Sequence, residues 1–478
     1  MSASCVFHLL LVVLVLTFAG TDSAHAQLTR IPASAVNLPA NTPLDAAPPL
    51  LSQTGVFSNL ETLDPSPGMV PYEPNVSFWS DGANKKRWFG TKPGTGAMTF
   101  SETENWAFSA GTVWVKHFDI LVSGVTRRLE TRLLVKTADG VYGLTYKWRT
   151  DHSDAELVPE AGLQETVPGS PINQQWRYPS RGECLSCHTA AAGYALSFHT
   201  AQLNRNHIMV PPGSPQNQID ALTLAGYLTG AQVGRSQRLP KLSVAEDQSL
   251  EWRVRSYLAV NCSSCHQPGG GAQGLWDARY TTPTALTEII DGTLVNQGND
   301  PSNRVVAPGD AEHSMLLRRI EGTAEDMARM PPIATNRRDT AGETLMTAWI
   351  ESLANYQSLA QWLEEKFGST STPESQPSAD ADGDGLTNEE ERMLEMDPKD
   401  PQSRWSYGRS LGSDRLQINF SQPANVMAQV ELSTDLINWT VLSGSENSYM
   451  FPQSRVNRSF PILLSSKRTF FRVTWRQP

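Results

Sequence analysis

The stretch RGECLSCHTA sets Cys184 and Cys187 three positions apart with His188 directly after them. NCSSCHQPGG repeats the arrangement with Cys262, Cys265 and His266. The chain has only five cysteines, and the fifth, Cys5, lies in an N-terminal apolar segment. Cysteine–x–x–cysteine–histidine is the attachment pattern of haem c. Each sulfur adds across one of two vinyl groups on the same side of the porphyrin. Two intervening residues let both sulfurs reach within one turn of chain, and the following histidine lies beneath the iron as its nitrogen ligand. Two disulfides would leave the histidines unexplained. A zinc ribbon keeps its cysteine pairs about 15–20 residues apart, far closer than here. A thioredoxin-type pair needs a βαβ setting that the sequence lacks. The spacing therefore predicts two covalent haem c groups, attached at Cys184 and Cys187 and at Cys262 and Cys265, with His188 and His266 on the irons.

The sixth ligands are less evenly marked. In EDMARMPPIAT, Met330 precedes Pro331 and Pro332. The prolines stiffen the loop, and a thioether stabilises ferrous iron, so Met330 is chosen for the second haem over Met327 and Met315. For the first haem, SFHTAQLNRNHIMVPP offers His199, His207 and Met209 as unranked candidates.

A second chemistry is written in DADGDGLTNEEE. Asp380, Asp382 and Asp384 supply carboxylates, Gly385 the tight turn, Leu386 a carbonyl, and Glu391 two closing oxygens, as in a calcium loop. Asn388 is placed to contact through water. The loop follows GSTSTPESQPSAD, a linker composition rather than the incoming helix of an EF-hand.

Several elements must position these groups. LSVAEDQSLEWRVRSYLAVNCSSCH predicts a helix capped by Ser243 and Glu246, with Leu250, Val254, Tyr257 and Leu258 on one face. RDTAGETLMTAWIESLANYQ predicts another, capped by Thr340 and Glu343, with Leu345, Met346, Trp349, Ile350 and Leu353 inward. Two such helices crossing is the plan of a small cytochrome c fold. The first motif has no capped helix in front of it, since Pro179 and Gly182 break the approach. Upstream, TRRLETRLLVKTADGVYGLTYKWRTD reads as a hairpin about Asp139–Gly140, GTVWVKHFDILV as a strand, and FWSDGANKKRWF as a polar turn between aromatics, suited to a ligand, a partner or a sheet edge. Residues 403–478 alternate like short strands of a β-sandwich.

The fold class expected is multidomain α+β. A β-rich domain spans 27–180, a first haem segment 181–242, an α-helical cytochrome c-like domain 243–366, a linker with the calcium loop 367–402, and a small β-sandwich 403–478. Residues 1–26 read as a secretory signal peptide, an apolar run over 9–20 followed by Ala24-His25-Ala26, with cleavage before Gln27. The first eight residues lack the usual basic charge. No other segment approaches the about 20 apolar residues a membrane span needs. The product is expected in the periplasm or outside the cell. With 39 basic and 49 acidic residues and a net charge of −10, and no strongly basic stretch, nucleic acid is excluded as a partner.

YEPNVSFWSDGANKKRW, GTVWVKHFD, LETRLLV, YGLTYKWRTDHSDAEL, WRYPSRGECLSCH and AQLNR together resemble the large bacterial dihaem c-type cytochromes, some of which occur with quinoprotein sugar-dehydrogenase-like domains. The likeness covers roughly residues 50–355. It implies iron ligation by His188 and His266 and a role in electron transfer to and from redox partner proteins, with any quinoprotein dehydrogenase a separate chain. The calcium loop resembles thrombospondin type 3 repeats. An outer-sphere electron relay is the leading expectation. A dihaem peroxidase-like enzyme and a surface binding or redox-sensing protein are the alternatives.

Overall fold

The structure is a computed structural model that describes residues 27–478 apart from 42–46, 169–172, 325–326, 334, 413–414, 443, 445–446 and 464–468. The expected signal peptide lies outside the described residues.

The N-terminal part is built on an antiparallel meander of six strands in chain order: β1 (Met69–Pro71), β2 (Asn84–Thr91), β3 (Thr112–Val122), β4 (Val125–Lys136), β5 (Val141–Trp148) and β6 (Ala155–Leu157). The β3–β4 hairpin turns at Ser123 and Gly124, both at positive φ, the pairing a tight hairpin turn requires. Alternation then sorts the side chains. On one face Trp88, Val115, Leu133, Leu144 and Tyr146 pack beneath the incoming segment around Val36, Leu38 and Leu51. On the other, Phe89, Trp114 and Leu134 join an aromatic cluster with Tyr72, Phe198 and Tyr227. A further hairpin, β7 (Leu163–Val167) and β8 (Gln174–Tyr178), leads into the first motif. The predicted strand over GTVWVKHFDILV and the hairpin at Asp139–Gly140 are both present.

Eight α-helices occur among the described residues: α1 (Arg181–Cys187), α2 (Thr200–Leu203), α3 (Gln218–Leu224), α4 (Leu250–Asn261), α5 (Met315–Glu321), α6 (Thr340–Ser352), α7 (Leu359–Phe367) and α8 (Asn388–Leu394). Strand accounts for 27% of the described residues and helix for 18%, so the expectation of an α-helical cytochrome c-like region is overturned. The β-rich N-terminal part agrees with the expected class only in part. Between α4 and α5, residues 262–314 form loops with a single short 3-10 turn at Thr284–Leu286. Pro268, Pro283, Pro301 and the glycines at 269–271, 274, 292 and 298 break any helical run there.

Helices α4 and α6 pack together, sharing a core of Val254, Leu258, Met346, Trp349 and Ile350. Their caps differ from those predicted. Ser249 accepts from Trp252 N to start α4, and Asp339 accepts from Gly342 N to start α6. The opposite face of α4 is also buried, because Trp252 packs on Tyr280, Tyr449 and Phe451. Its last partners belong to the C-terminal part, where two three-stranded antiparallel sheets enclose Ile418, Val430, Phe460 and Ile462. That part is thus fastened to the motif-bearing helix. Ser249 N donates to Phe451 O at 2.7 Å, and Ser249 Oγ donates to Asn425 Oδ1 at 2.6 Å.

Candidate functional site

Both cysteine–histidine motifs open onto one cavity of about 320 Å³, lined by Cys184, Cys187, His188, Cys262, Cys265, His266 and Met330. The first motif lies in α1, which contrary to expectation is capped. Ser180 Oγ accepts from Glu183 N, and Glu183 in turn accepts from Ser180 N. The helix rests on β5 at Gly143, where an added Cβ would stand 2.7 Å from the Cys184 sulfur. The second motif caps the end of α4, with Cys262 N donating to Leu258 O. None of the four thiols is in a disulfide. Cys265 Sγ donates to the Ser186 carbonyl at 3.8 Å, so the second motif abuts α1, and interaction between the Cys187 and Cys265 thiols raises Cys187 and lowers Cys265.

The two imidazoles are held differently. His188 Nδ1 bonds the Tyr194 carbonyl, which fixes the ring and leaves Nε2 as the nitrogen available to a metal. His266 stacks on Trp276, centroids 3.9 Å apart, and its buried Nδ1 has no partner. Burial holds both rings down to about 4, so they are neutral at physiological pH, the form a metal accepts. Four reduced thiols in two pairs, two neutral imidazoles and a cavity walled by Leu133, Leu134, Leu316 and Ile320 form a donor set that fits haem c.

The loop carrying Met330 is fixed by the FWSDGANKKRWF turn. Asp81, 1% exposed, accepts from Arg337 N at 2.8 Å and from Asn336 Nδ2 at 3.0 Å. Trp79 N donates to Asn261 Oδ1 at 2.8 Å, immediately before Cys262, and Trp79 Nε1 donates to Arg337 O. One turn thus holds both the end of α4 and the methionine loop against the sheet. Met315 also lines the cavity, whereas Met327 does not.

The candidates for the first iron are dispersed. Met209 is buried in the aromatic cluster of the sheet. His207 pairs with Glu73 at 3.7 Å. His199 stacks on Tyr280 and lines a separate, more polar cavity of about 150 Å³. None of the three lines the cavity shared by the motifs.

Sequence reasoning also missed a set of cations. Arg87, Lys116 and Arg132 line the same cavity. Their signal was present as charged residues interrupting alternating strands at positions that share a face with Phe89, Trp114 and Leu134.

In the acidic loop three carboxylates come together. Ligand oxygens of Asp380, Asp382 and Asp384 lie within 4.8 Å of one another. Glu391 is fully buried in α8, and neither of its oxygens has a partner. Burial first, then Asp382, Asp384 and Asp380, push it up to about 7. Asn388 Nδ2 donates to the carbonyls of Glu374 and Gln376 at 2.7 Å each, which ties the linker to α8, while its buried Oδ1 has no partner.

No family model, curated protein or solved structure matches the chain. No helix among the described residues is long and apolar enough to cross a membrane.

Replacing buried Asp81 with Ala removes the charged acceptor of the Arg337 amide and of Asn336 Nδ2, at a cost of about 1.5–3 kcal/mol for the hydrogen bonds to a charged group. Hydrogen exchange should show the Arg337 amide losing protection while Val430 and Phe460 in the C-terminal sheets keep theirs. Equal loss in both places would show that the turn supports general stability and not the methionine loop.

Proposed function

We propose that this chain is an exported dihaem c-type cytochrome that relays single electrons between partner proteins. The observation that carries the reading is the convergence of both cysteine–histidine motifs on one cavity, although they lie far apart in sequence. Cys184 and Cys187 would hold one haem and Cys262 and Cys265 the other, with His188 and His266 as iron ligands and Met330 as the second ligand of the latter. Haem c supplies a ferric–ferrous couple. The protein's part is to hold the groups, exclude water and set their potentials. The contact of the Cys265 sulfur with the Ser186 carbonyl of α1 brings the two motifs side by side, which suits passage of an electron between the groups. A separate quinoprotein dehydrogenase is the donor class suggested by the resemblance of the chain to dihaem cytochromes.

Intact mass should show two covalent haems on each chain. A mass without haem, or with one, would remove the proposal. A rival reading, a peroxidase-like enzyme or a redox sensor, is favoured by one observation: none of His199, His207 and Met209 lines the cavity. In that case one reduced haem binds carbon monoxide, whereas in a relay with both irons saturated neither does.

Met330→His should lower the midpoint potential of one haem only, because imidazole favours ferric iron relative to thioether. The sulfur-to-iron charge-transfer band should disappear with it. Two unchanged midpoints and an intact band would assign the ligand elsewhere.

We also propose that Ca²⁺ is held by Asp380, Asp382, Asp384, the Leu386 carbonyl and Glu391. The unpartnered, buried carboxylate of Glu391 supports this. Unfolding of the 367–478 part should then depend on calcium, with a gain of about 2.7 kcal/mol when free Ca²⁺ is a hundred times Kd. Glu391→Gln should abolish that gain and leave the haem spectra as they are. Stability indifferent to Ca²⁺ in the parent protein would reduce the loop to an acidic linker.

A further inference from the structure

The sheet register sets three cations side by side. Arg87 on β2 is directly opposite Lys116 on β3, and Lys116 is directly opposite Arg132 on β4. Like charges directly opposite one another oppose pairing. The row is on the same face as Phe89, Trp114 and Leu134, which pair directly in the adjacent row. It is beside α1, since Leu134 is opposite Gly143, the residue against which Cys184 rests.

Only one of the three cations is neutralised. Arg132 is bonded through Nε and Nη2 to Glu130. Arg87 is 5% exposed, and its buried Nη2 has no partner. The ammonium of Lys116 sits over the rings of Phe78 and Phe118 at 5.4 and 5.0 Å and bonds no acceptor among the described residues. The nearby carboxylates are engaged elsewhere, Glu130 by Arg132 and Glu73 by Arg205 and His207. Arg87, taken out of water without an opposing charge, is costly, and half-buried Lys116 beside it adds like charge; such a pair is stabilised by an anion at hand. They line the cavity that contains His188.

We propose that Arg87 and Lys116 form a cradle for carboxylates, and that these are the propionates of the haem attached at Cys184 and Cys187. The inference rests on the dihaem reading above. It accounts for a feature that reading does not need: a run of cations in the interior of a chain whose net charge is −10. Arg87 offers a planar fork suited to a carboxylate, and Lys116 a point charge beside it. Arg132, already paired, adds positive potential without being required as a ligand.

The test uses the matured, haem-bearing protein and the double variant Arg87→Gln with Lys116→Gln. Intact mass and a spectroelectrochemical titration are read together. The expected result is two covalent haems and a lower midpoint for one of them, because a carboxylate left without its cation stabilises the ferric state. The other midpoint should not move. If the variant lacks one haem, the charge-conserving pair Arg87→Lys with Lys116→Arg should restore it. Two unchanged midpoints, or loss of haem that the conserving pair fails to restore, would overturn the cradle. Inorganic phosphate, added at constant ionic strength, distinguishes a free anion from the porphyrin's own carboxylates. Wild-type spectra and midpoints should ignore it; a phosphate response present in the wild type and absent in the Gln variant would assign the cations to a free anion and overturn the proposal. Wild-type protein carrying no covalent haem would fail the parent reading, which is a different result from either.

Discussion

The buried carboxylate of Asp81 is the contact on which the rest of the site depends. It stands at positive φ in a turn of the sheet, where it joins three parts of the chain that share no secondary structure. Its oxygens hold the loop after Met330, and the neighbouring Trp79 amide holds Asn261 at the end of α4. The methionine loop, the second motif and the face of the sheet bearing the first motif are thereby drawn around one space. Without these bonds the loop would be tethered chiefly by Arg319 and Arg329, whose side chains donate to the Ala328, Ile320 and Thr335 carbonyls within that same region. Those bonds shape the loop, but none of them reaches the sheet.

This arrangement decided which features were legible beforehand. The hairpin at Asp139–Gly140 and the apolar stripes of α4 and α6 were readable because local periodicity and turn chemistry determine them. The motifs were readable because one rare residue type recurs twice at the same spacing before a histidine. The expected cytochrome c-like helical region was not obtained, since the glycines and prolines after Cys265 keep that chain in loops, and α4 is buried on two sides rather than one. The cap of α4 was misplaced by six residues' worth of plausible serine and glutamate, because Ser249 is selected by its bonds to Phe451 and Asn425, which no local pattern announces. Gly143 and the Arg87–Lys116–Arg132 row became meaningful only once strand register was known, for their neighbours are distant in sequence.

The two charged sites share a physical logic although they carry opposite signs. In the acidic loop, Glu391 is buried without a partner among three aspartates; in the cavity, Arg87 is buried with an unpartnered nitrogen beside half-buried Lys116 and Arg132. Neither cluster stabilises the protein alone, since concentrating like charge away from water is unfavourable. Each is tolerable when a group of the opposite sign is supplied, so both sites couple the stability of their surroundings to the arrival of something from outside the chain.

The fastening of α4 by Phe451 has a consequence in time. The bond from Phe451 N to Gln248 Oε1 spans 203 residues of sequence. At synthesis rates of about 5–20 residues per second, a separation of that size corresponds to about 10–40 s. For that interval the helix ending at Cys262 exists without the aromatic packing that completes the face it turns away from the cavity. The order of the chain therefore leaves the helix that carries the second motif covered on one face alone until the last strands arrive.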